Sequence, residues 1–374
     1  MRVLIAPDSF GGTLSAVQAA QAMAAGWLRS APADEVALRP LSDGGPGFVD
    51  VLAAAMDGDV VPVPTLDPLG RPVVGAVLLA GGSGYVESAQ ACGLHLLTAA
   101  ERDPLRTTSY GVGTLISAAV ESGARTVVVG LGGSGTNDAG AGMLAALGVA
   151  PLDRAGAVLP YGGGALAALD RLDGAPRLRG ADLVAATDVD NPLTGPTGAS
   201  AVFGPQKGAS RDDVQVLDAA LGRWAEVVER DLPGAPAGLA TLPGGGAAGG
   251  LGATLLAIGA RRQPGIETIA RLVDLDGALD GADLVLTGEG YYDSQSLRGK
   301  VASGVAAAAR ARGLPCLVLA GQVSVGRREQ ATAGVDAYSV ADMAGSVEAA
   351  LEWPADRLAD LAARVARQWS RRPT

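Results

Sequence analysis

Three loop stretches carry the residues best suited to chemistry. In DVDNPLTGP, Asp188 and Asp190 stand two residues apart and Asn191 follows them. Side chains at i and i+2 of an extended segment share one face, so both carboxylates can meet one cation. TGEGYYDSQSLRGK places Glu289 and Asp293 ahead of Arg298 and Lys300, and FGPQKGA sets Lys207 in a rigid Pro/Gly frame. Phosphoryl transfer requires carboxylates for a hard dication, a base beside a hydroxyl and cations around the transferred group. Asp188, Asp190, Glu289 and Asp293 are therefore the candidate metal or base carboxylates. Lys207 and Lys300 are the candidates for neutralising charge as it develops.

The stretch VVVGLGGSGTNDAGAGM, residues 127–143, is a turn with three open readings. Gly130, Gly132 and Gly135 satisfy G-x-G-x-x-G after a strand, with Asp153 downstream as the acid a nicotinamide dinucleotide needs. Glycines packed this densely also let backbone approach backbone. The third reading is an anion cradle: Gly132 and Gly133 offer N–H groups, Ser134, Thr136 and Asn137 add side-chain donors, and a helix N-terminus follows. Asp138 either caps that helix or touches a metal. No Walker A sequence occurs in the chain, so a nucleotide would be held by another architecture.

Short apolar runs must position these loops. RVLIA reads as a first buried strand, and Ser15 with Gln18 has capping-box spacing, which opens a helix over 16–28. VALRPL, TVVVG, ADLVAATD, ADLVLTGEG, LPCLVLAG and VDAYSV read as further strands, with TLISAAVESG and VASGVAAAARAR as helices. RPVVGAVLLAGGSGYVES predicts an antiparallel hairpin around Gly81-Gly82. Alternating strands and Ala-rich helices specify an α/β fold with largely parallel strands. One domain is formed from 1–66 plus 282–374, and 67–281 is an inserted second α/β domain. Strand after strand ends in an acidic or glycine-rich turn. Open α/β sheets bind ligands beyond those ends, so Asp8, Ser9 and Asp43 join Asn191 as candidates for docking the substrate's hydroxyls.

Composition narrows the partners. The 374 residues carry 29 Lys+Arg against 39 Asp+Glu, a net charge of −10, with no basic block. That argues against nucleic acid or an anionic membrane and leaves a small-molecule substrate. The longest uncharged stretch, 232–260, is broken by Gly and Pro and reads as a loop leading into GATLLAIGA. Two cysteines form neither metal spacing nor a disulfide framework, which fits a reducing cytoplasm. His95, the only histidine, reads as a packed side chain in CGLHLL. A homodimer stays open.

APDSF with TLSA, SDGGPG, PLRTTSYGVGTLI, GLGGSGTNDAGAGM, DVDNPLTGPTGASAVFGPQKGA, GGGAAGGLGA and TGEGYYDSQSLRGKV run nearly end to end. Together they resemble the first type of bacterial glycerate kinase, ATP-dependent enzymes that phosphorylate D-glycerate. The resemblance implies a flavodoxin-like doubly wound domain built from both chain ends, an inserted α/β domain and an active cleft between them. It also implies Mg²⁺-ATP as cofactor and the 2-hydroxyl as the favoured acceptor. The chain departs from the family's pattern at Gly11, Pro46 and Tyr291, where relatives usually carry Lys, Glu and Arg. Two rivals follow: a kinase-like paralogue with an altered acceptor or a binding role, and a nicotinamide-dependent oxidoreductase.

Overall fold

The computed structural model describes residues 1–294, 296–297 and 301–370. Arg298 and Lys300 lie outside the described residues. The chain divides into two compact units: unit 1 is Met1–Asp43, Asp50–Met56 and Ile266–Thr374, and unit 2 is Gly44–Val49 and Asp57–Gly265.

Along the chain the strands are β1 (Arg2–Ile5), β2 (Glu35–Leu38), β3 (Asp59–Leu66), β4 (Pro72–Ala80), β5 (Ser83–Glu87) and β6 (Thr126–Gly130). They continue with β7 (Val149–Leu152), β8 (Arg171–Gly174), β9 (Asp182–Ala186) and β10 (Arg261–Gln263). The last are β11 (Leu284–Thr287), β12 (Tyr291–Tyr292), β13 (Cys316–Ala320), β14 (Gln322–Val323) and β15 (Val335–Ser339).

Unit 1 is a five-stranded sheet in the order β2-β1-β11-β13-β15, parallel throughout. Renumbered within this sheet the order is 2-1-3-4-5, the flavodoxin-like order, in which the strand sequence reverses beside the first strand. Leu284, Leu286, Leu317 and Leu319 are fully buried, as a sheet covered on both faces requires. Helix Ala16–Ser30 begins with the Ser15–Gln18 capping box and packs on helix Pro354–Trp369.

That helix pair illustrates how small residues build a core with few aromatics. A Cβ placed on Gly26 would sit 1.9 Å from the Ala359 carbonyl oxygen, so the backbones touch where a side chain would stand. Gly26→Ala gains about 1 kcal/mol of helix propensity but must push the helices apart, at about 1–3 kcal/mol or more. Net destabilisation is expected, read as a lower urea midpoint with unchanged slope.

Unit 2 holds a six-stranded sheet ordered β10-β9-β6-β5-β4-β3. β5, β6, β9 and β10 run parallel, and β3–β4 and β4–β5 are antiparallel. The β4–β5 turn has Gly81 at φ +57° and Gly82 at φ +77°, the left-handed pair a type I′ hairpin demands. β3 falls in this unit because all eight of its residues pair with β4. The terminal segment therefore stops short of residue 66, and the chain returns to unit 1 at Ile266 instead of 282. Among the described residues no helix is long and apolar enough to cross a membrane.

Candidate active site

In unit 1 the first strand runs into Asp8 and β11 runs into Glu289, so the two acids follow the neighbouring strands at which the order reverses. With Ser9, Asp43, Gly11 and Tyr291 they line a cavity of about 450 Å³. The Asp8 N–H donates to the Gly288 carbonyl at 2.8 Å, and the Ser9 N–H donates to Asp8 Oδ1 at 2.7 Å. Burial pushes the Asp8 carboxyl up to about 7, and the charges of Asp43 and Glu289 push the same way. Like charges held close resist ionisation, so the two neighbouring carboxylates add to the effect of burial on Asp8. Asp293 stands outside the cavity lining: its Oδ1 accepts from the Ser296 N–H at 3.1 Å and organises the turn after β12.

In unit 2, β5, β6 and β9 end in register, with Glu87 opposite Gly130 and Gly130 opposite Ala186. The glycine turn and the DVDN segment therefore leave the same edge of one sheet on adjacent strands. Their internal bonding departs from the sequence expectation in four ways.

First, Asp188 and Asp190 do not share one partner. β9 ends at Ala186, so both lie in a loop, not on a strand face. Asp188 Oδ1 accepts from the Gly265 N–H at 3.1 Å, while Asp190, with its side chain 80% exposed, pairs with Arg262. Asn191 braces its own loop, donating from Nδ2 to the Thr197 carbonyl at 2.8 Å.

Second, Lys207 is buried. Its Nζ donates to Ser134 Oγ at 2.9 Å and to the Thr136 carbonyl at 2.7 Å, so it braces the glycine turn from within. Desolvation brings its ammonium down to about 8.

Third, Thr136 and Asn137 are fully buried and Ser134 nearly so. Asn137 Nδ2 donates to Ser200 Oγ at 2.8 Å. Only Gly132 and Gly133 of the turn face solvent, and among the described residues no backbone carbonyl accepts from their N–H groups. The surface that an anion could meet shrinks to those two glycines.

Fourth, the helix N-terminus beyond the turn is already filled. Asp138 accepts from the Ser109 N–H at 2.8 Å, from Ser109 Oγ at 2.9 Å, and from the N–H groups of Gly140 at 3.1 Å and Gly142 at 3.2 Å. The helix dipole thus meets a protein carboxylate, whose pKa is raised by burial. Of the two readings for Asp138, the structure shows the cap.

The dinucleotide reading also fails locally. Asp153 follows β7, which forms an antiparallel ribbon with β8, so the acid does not stand at the end of a strand of the parallel sheet, as a ribose-binding acid would. His95 is exposed, not packed. Sequence reasoning missed Glu87 and Gln322. Glu87 Oε2 accepts from the N–H groups of Gly47 and Val49 at 3.1 and 3.3 Å and thereby fixes the SDGGPG loop. Gln322 lines the unit 1 cavity. Glu87 was legible as an acid closing an apolar strand, whereas Gln322 carried no local signal.

A divalent metal is tested by these donors. Within either unit, no three described His, Cys, Asp or Glu side chains converge as an all-protein metal cage. Mg²⁺ seldom uses one: it keeps several waters and takes one or two carboxylates plus substrate phosphates. The Asp8, Asp43 and Glu289 carboxylates around one cavity fit that habit.

Comparison with known proteins agrees with the architecture. A family model described as glycerate kinase family matches residues 3–370. The chain is 41% identical to the glycerate kinase of Bacillus subtilis (strain 168), covering 98% of this chain and 97% of that one. It is 40% identical to the glycerate 2-kinase of Escherichia coli (strain K12), again over 98% and 97%. A solved glycerate kinase 2 candidate from Salmonella typhimurium LT2 superposes with a TM-score of 0.81 at 39% identity, covering 98% of each chain. An end-to-end match at this identity, on the α/β architecture derived above, places the chain in the glycerate kinase family.

Proposed function

We propose that this chain phosphorylates D-glycerate at its 2-hydroxyl, taking the phosphoryl group from Mg²⁺-bound ATP. The observation that carries the reading is the Asp8, Asp43 and Glu289 cluster around one cavity at the carboxyl ends of β1 and β11. Asp43 and Glu289 would hold Mg²⁺, which when bound neutralises the charge on the transferred phosphoryl group. Asp8, with a pKa of about 7, takes the proton of the acceptor hydroxyl, since a base tuned near working pH is both ionised and basic enough. Gly132 and Gly133 offer N–H groups to a phosphate, and Lys207 keeps that turn in shape as a positioning residue.

ADP release from Mg²⁺-ATP with D-glycerate and a panel of related hydroxy acids tests this, with the product identified by ³¹P NMR. Glu289→Gln is expected to lower kcat at least about 10²-fold, the scale of a lost electrostatic stabiliser. Asp190→Asn, which breaks an exposed pair worth about 0–1 kcal/mol, is expected to change it by less than about threefold. Equal turnover by wild type and Glu289→Gln overturns the acid assignment, and no turnover of any acid overturns the function.

A less anionic acceptor is the second reading. Gly11 and Tyr291 both line the acidic cavity and neither brings a positive charge to offset a substrate carboxylate. A panel in which an uncharged polyol outruns D-glycerate would favour it.

A further inference from the structure

The unit 1 cavity has two chemically distinct ends. Asp8, Asp43 and Glu289 occupy one, while Val347, Ala350, Leu351, Pro354 and Leu358 contribute an aliphatic wall. Those residues come from helix Val347–Glu352 and the start of helix Pro354–Trp369. Leu351 is left 54% exposed. A three-carbon hydroxy acid has almost no apolar surface to set against such a wall. Its stabilisation scales with apolar area removed from water, at about 25 cal/mol per Å², so the wall would contribute next to nothing to it. A flat heterocycle, with two apolar faces and a polar edge, uses it fully.

The polar edge also has a counterpart. β14 brings Gln322 to the same cavity, held by its N–H bond to the Gly290 carbonyl at 3.0 Å. Its side-chain amide makes no hydrogen bond to another described residue. A carboxamide presents one acceptor and one donor side by side, which match the N6 donor and N7 acceptor of adenine. The location agrees: in this strand order, nucleotides bind beyond the carboxyl ends where the order reverses. The volume of about 450 Å³ lies within the ~300–1,000 Å³ of small-molecule sites.

We propose that the aliphatic end of this cavity, with Leu351 against the ring and the Gln322 amide at its edge, is the subsite for the adenine base of the nucleotide. The assignment rests on the kinase reading above. It gives the nucleotide an orientation, with the base on the wall and the phosphates toward the acids.

The test measures ADP binding by calorimetry on the full chain, together with KM for ATP, ITP and D-glycerate. Three proteins are compared: wild type, Leu351→Asp and Gln322→Ala. Leu351 is surface-exposed, so its variant keeps the fold, which circular dichroism verifies. Leu351→Asp is expected to weaken ADP at least about tenfold while KM for D-glycerate stays within about twofold. Gln322→Ala is expected to cut the preference for ATP over ITP about fivefold or more, because inosine lacks the N6 donor. If wild type phosphorylates D-glycerate but both variants bind ADP as wild type does, or if KM for D-glycerate rises in their place, the base subsite is overturned while the kinase reading stands. A wild type that binds no ADP removes both.

Discussion

Asp8→Asn is expected to make the protein more stable at pH 8 while lowering kcat by about 10²–10⁴-fold, the range for a lost general base. The carboxyl is held at about 7 against an ordinary 3.8, chiefly by burial and then by Asp43. Between those two values the folded chain keeps a proton that the unfolded chain has lost. Stability from this group is complete below pH about 4 and declines as pH rises toward 7, where the folded state must bear a poorly solvated charge. At about 1.4 kcal/mol per pKa unit, neutralising the residue gains up to about 4 kcal/mol above pH 7. The side-chain oxygen that accepts from Ser9 is retained in the amide. Urea unfolding at pH 4.5 and 8 reads the effect, and the gap separating variant from wild type must open with pH. In parallel, wild-type kcat/KM carries an ascending limb as Asp8 loses its proton, and this limb disappears in the variant. A variant less stable at pH 8 would show that Asp8 is held by partners that favour its charge, contrary to its raised pKa.

Lys207→Met has the opposite signature, losing stability and activity together. Methionine fills a similar volume but leaves Ser134 Oγ and the Thr136 carbonyl without the bonds of 2.9 and 2.7 Å that the ammonium supplies. A buried polar group left without a partner costs about 1–3 kcal/mol, so about 2–4 kcal/mol is expected. The pH dependence separates this from simple cavity effects. Folded Lys207 titrates at about 8 and its ordinary value is 10.5. Across that window the unfolded chain holds a proton the folded chain has released, so wild-type stability gains from rising pH. The variant lacks this rise. Because Lys207 braces the turn that presents Gly132 and Gly133, KM for ATP is expected to rise as well. A variant with wild-type stability and nucleotide affinity would mean that the turn holds its own shape.

Local spacing is legible in the chain. Ser15 and Gln18 lie three residues apart and form the capping box that their spacing announces. Gly81 and Gly82 make the hairpin, and apolar runs become strands whose ends carry Asp8 and Glu289. Lys207 was legible as a cation in a Pro/Gly frame, but not as one sealed beneath a turn. Asp188 and Asp190 were legible as a pair, but not as acids drawn to separate partners.

What the sequence determined alone was local. Strand and helix periodicity, caps, tight turns and the succession of motifs that marks the family are all written within stretches of a few residues, where neighbouring side chains decide the backbone's choice. The tertiary structure decided burial and partnership. Lys207 meets Ser134 across 73 positions and Thr136 across 71, and Arg262 reaches Asp190 across 72. Such contacts depend on how sheets and loops fold onto one another. A charge takes its pKa and its role from whatever surrounds it, and a linear pattern does not contain those surroundings.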